Sequence, residues 1–130
     1  MHLGLRENAT AKACTWHVPQ AHYLESWGDA TAWDGTGLSV QPLIEPLFGG
    51  KTCTEVLSAI LDGTPRTAYQ IARDTFNGGK PAPEGDAGFE KKWRNYIHDG
   101  FLEGSGQAHG QPLALTGAKV QPPEGVHLAA

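Results

Sequence analysis

Hydrophobic residues recur with a helical spacing in three stretches between residues 52 and 100. In the first stretch, Thr52 and Glu55 form a T-x-x-E capping box, and Asp62-Gly63 ends the pattern. The apolar stripe between them consists of Val56, Leu57, Ile60 and Leu61. This spacing predicts an amphipathic helix that follows Thr52 and stops at Gly63.

Two more amphipathic helices are predicted downstream. Thr64, with Pro65 at the first helical position, indicates where one of them starts. Its inward residues are Ala68, Ile71, Ala72 and Phe76. The other helix is predicted from Phe89, Trp93 and Ile97, which lie one helical turn apart with basic residues between them.

Shorter patterns occupy the beginning of the chain. Residues 2–6 alternate polar and apolar positions and predict a short strand, after which Asn8 can cap a short helix through about Ala13. Residues 15–18 predict a second strand, which Pro19 ends because it has no backbone N–H.

The stretch that follows is predicted to be mostly loop. One turn of helix is expected over residues 21–26, and Gly28 and Gly35 interrupt any regular spacing after it. Residues 38–44, LSVQPLI, predict another strand, which Pro42 restricts to a sheet edge or a bulge.

Residues 16–35, WHVPQAHYLESWGDATAWDG, contain three of the four tryptophans of the chain. Large rings need a core or a partner to cover them, and titratable side chains lie between these rings. We interpret the stretch as an interface or structural motif. Its candidate residues are Trp16, His17, His22, Glu25, Trp27, Asp29, Trp33, Asp34 and Gly35.

Metal binding and nucleophilic catalysis are alternative interpretations of this stretch. His17 and His22 would suit zinc or iron together with a carboxylate, Glu25 or Asp29. Their H-x4-H spacing is not HExxH, so a structural pairing of histidine with carboxylate is the simpler interpretation. A hydrolase triad of Ser26, His22 and a downstream aspartate is disfavoured, because LESWG lacks the G-x-S-x-G elbow.

Acid–base chemistry and ligand stacking are the remaining alternatives. Glu25 and Asp29 are the possible acid–base pair, but carboxylates in glycine-rich loops usually accept backbone N–H groups. Trp27 and Trp33 suit stacking on a planar ligand or quinone head group, and they suit a core or a subunit interface equally well. The sequence therefore predicts no catalytic residue and no metal ligand in this chain.

Composition excludes several function classes. The net charge is -4 and only 18% of residues are charged, which leaves no basic face for nucleic acid or an anionic membrane. The 17 Gly and 9 Pro indicate long loops, including a flexible linker over residues 78–88. No apolar run is long enough for a transmembrane span, and residues 1–14 lack a secretory signal. Cys14 and Cys53 are expected to be free thiols.

Four segments carry a family resemblance: WHVP at 16–19, AHYLESWGDATAWDG at 21–35, VQPLIEPLFGGKT at 40–52 and FEKKWRNYIHDGFLEG at 89–104. They resemble the molybdopterin-oxidoreductase-like iron–sulfur subunit of bacterial quinol:cytochrome c oxidoreductase, also called alternative complex III. One departure from the wider molybdopterin oxidoreductases is Thr36, which stands after Gly35 where their pattern has an arginine.

The resemblance implies an α/β fold, a partial molybdopterin-oxidoreductase-like domain with short strands, three amphipathic helices and long Gly/Pro-rich loops. It implies that no molybdenum cofactor binds here and that the iron–sulfur clusters lie elsewhere in the full-length subunit. The implied partners are the remainder of the same subunit and other subunits of a membrane-bound respiratory complex. The implied location is the periplasmic face of the bacterial inner membrane.

Residues 1–104 are therefore interpreted as an interior piece of such a domain, and residues 105–130 as a loop-rich continuation. The expected function is a structural, electron-transfer-associated part of the quinol-oxidising complex. Two alternatives remain open, a piece of a catalytically active molybdopterin-dependent oxidoreductase and a free-standing small binding module. An interior piece is not expected to be a stable monomer by itself.

Overall fold

The computed structural model describes residues 1–107, which form a mixed α/β arrangement of short strands and helices. The elements in chain order are β1 (His2–Gly4), α1 (Ala9–Ala13), β2 (His17–Pro19), a 3-10 turn (Tyr23–Glu25), β3 (Gly28–Thr31), β4 (Gly37–Val40), α2 (Cys53–Asp62), α3 (Ala68–Phe76) and α4 (Ala87–Asp99). The predicted α/β class is confirmed. The continuation predicted beyond residue 107 lies outside the described residues.

β1 and β2 form a parallel pair that α1 connects. The register pairs His2 with His17, Leu3 with Val18 and Gly4 with Pro19. The Asn8 side chain caps α1 as predicted, accepting a hydrogen bond of 2.9 Å from the Ala11 N–H. The strands predicted over 2–6 and 15–18 are present with different bounds, because only these three residues of each strand have a ladder partner.

β3 and β4 form an antiparallel hairpin, so the prediction of loop over residues 28–31 is wrong. A turn at Asp34-Gly35 reverses the chain: the Asp34 carboxylate accepts a hydrogen bond of 2.9 Å from the Thr36 N–H, and Gly35 has a φ of 90°. Such an Asp-Gly pair is a hairpin signal even where the flanking residues do not alternate. The strand predicted over 38–44 instead ends at Val40, two residues before Pro42.

α2 begins and ends as its sequence signals predict, whereas α3 begins later than predicted. α4 begins at Ala87, inside the predicted linker, because Asp86 caps it. Thr52 and Glu55 form the expected capping box of α2. The start predicted at Thr64-Pro65 is wrong, because α3 is capped by Thr67 through a second capping box with Gln70. In the connection before α3, Arg66 bridges α2 and α3. Its guanidinium donates to Ser58, Asp62 and Asp74 at 3.1, 3.0 and 2.8 Å.

The core lies between α3 and α4. Its buried residues are Ala72, Phe89, Trp93 and Tyr96, and the side chains packed against them are Trp27, Phe76, Ala82 and Ile97. Of the inward positions predicted for these two helices, this core contains Ala72, Phe76, Phe89, Trp93 and Ile97. Ala68 and Ile71 are not part of it. Burial raises the pKa of the Tyr96 hydroxyl, since an apolar site disfavours the phenolate.

An ion pair fixes α3 against α4 at the edge of this core. The Arg73 guanidinium donates to both carboxylate oxygens of Glu90, and its carbon lies 4.9 Å from the centre of the Phe89 ring. The hydrogen bond from Arg73 lowers the pKa of Glu90 below its ordinary value of 4.5. The same bond raises the pKa of Arg73, which stays charged.

Glu90→Gln is expected to weaken the α3–α4 contact at neutral pH. The stability of this contact should then depend less on pH than it does in the parent. Because folding lowers the pKa of Glu90, its carboxylate stabilises the fold at a pH above the ordinary pKa. That stabilisation is lost as the pH falls through the lowered pKa. The near-ultraviolet circular dichroism of the aromatic core, followed from neutral pH to about pH 3, measures this effect. Glu84→Gln, in the exposed linker, is the matched control. Identical acid profiles for the parent and Glu90→Gln would contradict the role of the pair.

Candidate functional site

The tryptophans of residues 16–35 do not pack together. Trp16 and Trp33 are 70% and 89% exposed, whereas Trp27 is half-buried against the helical core. The Trp27 ring lies 5.0 Å from Tyr69 and 6.2 Å from Trp93 between centroids. Trp27, at the start of β3, therefore connects the hairpin to α3 and α4, and the other two rings face outward.

His22 and Glu25 hold the 3-10 turn. The Glu25 carboxylate accepts a hydrogen bond of 3.2 Å from the His22 N–H, and the His22 ring Nδ1 accepts one of 3.3 Å from the Leu24 N–H. The Ser26 hydroxyl donates to the His22 carbonyl at 3.1 Å. These contacts are those of a capping box, so both residues have a structural role. The expected pairing of the histidine ring with a carboxylate is not formed at His22, because the Glu25 carboxylate accepts from the backbone N–H and the ring accepts from Leu24.

Asp34 and Gly35 belong to the hairpin turn, and the chain near residue 107 closes over it. The Asp34 carbonyl accepts a hydrogen bond of 2.6 Å from the Gln107 N–H. The Gly37 N–H donates to the Ser105 hydroxyl at 2.9 Å. Asp29 lies in β3, opposite Ser39 in the register. The two aspartates are thus placed by the hairpin, in turn and strand positions.

His17 has a partner that sequence reasoning missed. β1 and β2 bring its ring to His2, and the two Nδ1 atoms are 2.8 Å apart. The available signal was that both histidines lie in predicted strands, but the parallel pairing itself is a long-range contact. The structure thus gives the rings of His17 and His22 separate partners, the His2 ring and the Leu24 N–H.

The apolar stripe of α2 is exposed. Leu57, Ile60 and Leu61 lie on one face of the helix, and Leu61 is 79% exposed. The buried residue of α2 is instead Ser58, which hydrogen-bonds to Asp62 and Arg66. An amphipathic helix normally turns its stripe toward a core, so α2 presents a surface that residues 1–107 do not cover.

Residues 42–48, just before α2, are also apolar and exposed. The exposed side chains there are Leu43, Ile44, Leu47 and Phe48, and Phe48 is 85% exposed. Part of this segment lines an open cleft of about 560 Å³ together with Trp27, Tyr69 and the carboxylates Glu25 and Glu55. The volume is in the range of small-molecule sites, and the mouth is wide.

The described residues include two cysteines and no cluster of potential metal ligands. Within residues 1–107, no group of three or more histidine, cysteine, aspartate or glutamate residues is arranged to hold an ion. Cys14 is half-buried and Cys53 is exposed, and both are free thiols. None of the helices in this part of the chain is long and apolar enough to cross a bilayer.

No protein-family model matches the chain, and no curated protein matches it. The family suggested by residues 16–52 and 89–104 therefore stays a prediction.

Proposed function

We propose that this chain is a non-catalytic structural segment of a molybdopterin-oxidoreductase-like subunit in a membrane-bound quinol:cytochrome c oxidoreductase. In this proposal the segment binds no molybdenum cofactor, and the electron-carrying clusters lie elsewhere in the subunit. The complex stands at the periplasmic face of the bacterial inner membrane. The chain contributes structure and contact surface to the larger domain, and other parts of the complex carry out quinol oxidation.

The exposed stripe of α2 carries the proposal. Burying a leucine or isoleucine side chain contributes roughly 1.5 to 3 kcal/mol to stability. This contribution is not gained by Leu57, Ile60 and Leu61, because their side chains are exposed. Single exposed apolar residues are ordinary, but a whole helical stripe indicates a contact surface. We assign the remainder of the same subunit as the occupant, because residues 40–52, which lead into α2, are part of the resemblance.

The contacts within residues 16–35 also support a structural role. His22 and Glu25 cap a turn, Asp34 forms the hairpin turn, and Trp27 joins the hairpin to the helices. In the proposal these residues act by holding the shape of the segment.

A second candidate, the free-standing binding module, is supported by the cleft beside Trp27. Trp27 and Tyr69 offer aromatic surface there, and the charged residues of the lining are Glu25, Glu45, Glu55 and Lys51. The two candidates differ in one testable property, because a module must fold alone and a segment need not.

Replacing Ile60 and Leu61 together by glutamine is expected to abolish assembly of the subunit into its complex. Glutamine keeps helix propensity, so the change removes apolar contacts and leaves α2 able to form. In the isolated chain the same change should alter secondary structure little, since both side chains are exposed, and should reduce self-association. Co-purification of the tagged subunit with its partners, together with quinol oxidation by the membranes, measures the effect.

Ala59→Gln is the matched control, since Ala59 is exposed on α2 away from the stripe. Normal assembly and activity of this control are expected. A double variant that assembles and oxidises quinol like the parent would contradict the proposal.

A further inference from the structure

The paired histidines of β1 and β2 form a site that no catalytic or structural role described above uses. His2 and His17 are register partners, their Nδ1 atoms are 2.8 Å apart, and their rings are tilted by 32° at a centroid distance of 4.9 Å. We propose that this pair binds one divalent transition-metal ion with tetragonal coordination, copper(II) in first place, with water in the other positions. The site is independent of the function proposed above.

The two nitrogens lie close enough together to bind one ion. Two nitrogens at about 2.0 Å from one ion are about 2.8 Å apart at a right angle and about 3.3 Å apart at the tetrahedral angle. The 2.8 Å of the metal-free pair is the length of its hydrogen bond, and a rotation of either ring covers this range. Nitrogen ligands bind copper(II) most strongly among the divalent first-row ions.

The ion replaces the hydrogen bond between the rings. In the neutral pair one Nδ1 donates a hydrogen bond and the other accepts it, so the two nitrogens face each other, and both rings turn slightly toward an ion that lies beside the line joining them. On binding, the ring that carried the Nδ1 proton adopts the tautomer with its proton on Nε2, by exchange with water. The neutral pair therefore releases no net proton, and acidification weakens binding because protons compete for both rings.

Gly4 provides the space in which the His2 ring lies. A Cβ at Gly4 would come within 2.6 Å of Cε1 and 3.2 Å of Nε2 of His2. Gly4→Ala therefore moves the ring of His2 away from its place beside His17. The displaced atoms are the end of a flexible side chain, so the backbone pairing of the strands stays possible. This variant keeps both ligands and changes only their geometry.

The experiment is a titration of the full 130-residue chain with copper(II). Cys14 and Cys53 are replaced by serine in every variant, because copper(II) oxidises free thiols. Calorimetry gives the affinity, and electron paramagnetic resonance counts the coordinating nitrogens. We expect one site with two nitrogen ligands. His2→Gln and His17→Gln should each weaken binding by at least about tenfold and leave one coordinating nitrogen, and Gly4→Ala should weaken it by about tenfold.

His22→Gln and His98→Gln are the matched controls, because His22 caps the 3-10 turn and His98 pairs with Asp99. Both should bind copper(II) like the parent. The proposal is overturned if His2→Gln and His17→Gln bind like the parent. It is also overturned if Gly4→Ala binds copper(II) like the parent. Equal binding would mean that the positions given to the two rings by the strands do not matter.

Discussion

Trp93→Ala is expected to lower the free energy of local opening of the core between α3 and α4 by about 3 to 5 kcal/mol, the range for truncating a large buried aromatic. The Trp93 side chain is 2% exposed, and its ring lies 5.3 Å from Phe76 and 5.7 Å from Tyr96 between centroids. Within residues 1–107 this core cluster has four buried residues, so few described side chains can compensate for the cavity. Loss of the near-ultraviolet signal and of amide-exchange protection along α4 would report the unfolding.

Two variants make this result specific. Trp33→Ala removes the same ring from a position that is 89% exposed, and it should leave α4 protected. Trp93→Phe keeps an aromatic ring and removes the indole N–H, which is buried and finds no acceptor among residues 1–107. The loss of stability in Trp93→Phe should be clearly smaller than the loss in Trp93→Ala. Unchanged protection of α4 in Trp93→Ala would refute the assignment of Trp93 to the core.

The isolated chain is expected to self-associate and to lack a cooperative unfolding transition. The two sheets within residues 1–107 have two strands each, and a two-stranded sheet is marginal by itself in water. Unpaired strand edges and the exposed stripe of α2 both favour association. Ordering a residue opposes folding by roughly 1 to 2 kcal/mol of backbone entropy, and the core that offsets it is small.

Local signals in the sequence predicted the elements that local interactions determine. The capping box of Thr52 with Glu55 placed α2, and the spacing of Phe89 with Trp93 placed α4 and its buried face. The start of α3 was misplaced for a related reason. Thr64-Pro65 and Thr67 with Gln70 both resemble helix starts, and the ion pairs of Arg66 with α2 and α3 favour the second.

These local signals did not predict pairing between residues that are distant in the sequence. The sequence GDAT of β3 has no strand alternation, and its pairing with β4 depends on the Asp34-Gly35 turn. The contact of His2 with His17 likewise depends on parallel register across α1. The burial of Trp27, with Trp16 and Trp33 left exposed, follows from the orientation of the hairpin against α3 and α4.

The unfolding of the isolated chain is the most direct test of its assignment as a segment of a larger domain. The sample is the 130-residue chain, with its mass in solution measured by sedimentation and its thermal unfolding followed by near- and far-ultraviolet circular dichroism. We predict association and broad transitions that differ between the two wavelength ranges. A monomer that unfolds in one sharp transition, coincident at both wavelength ranges, would contradict it and would favour the free-standing binding module.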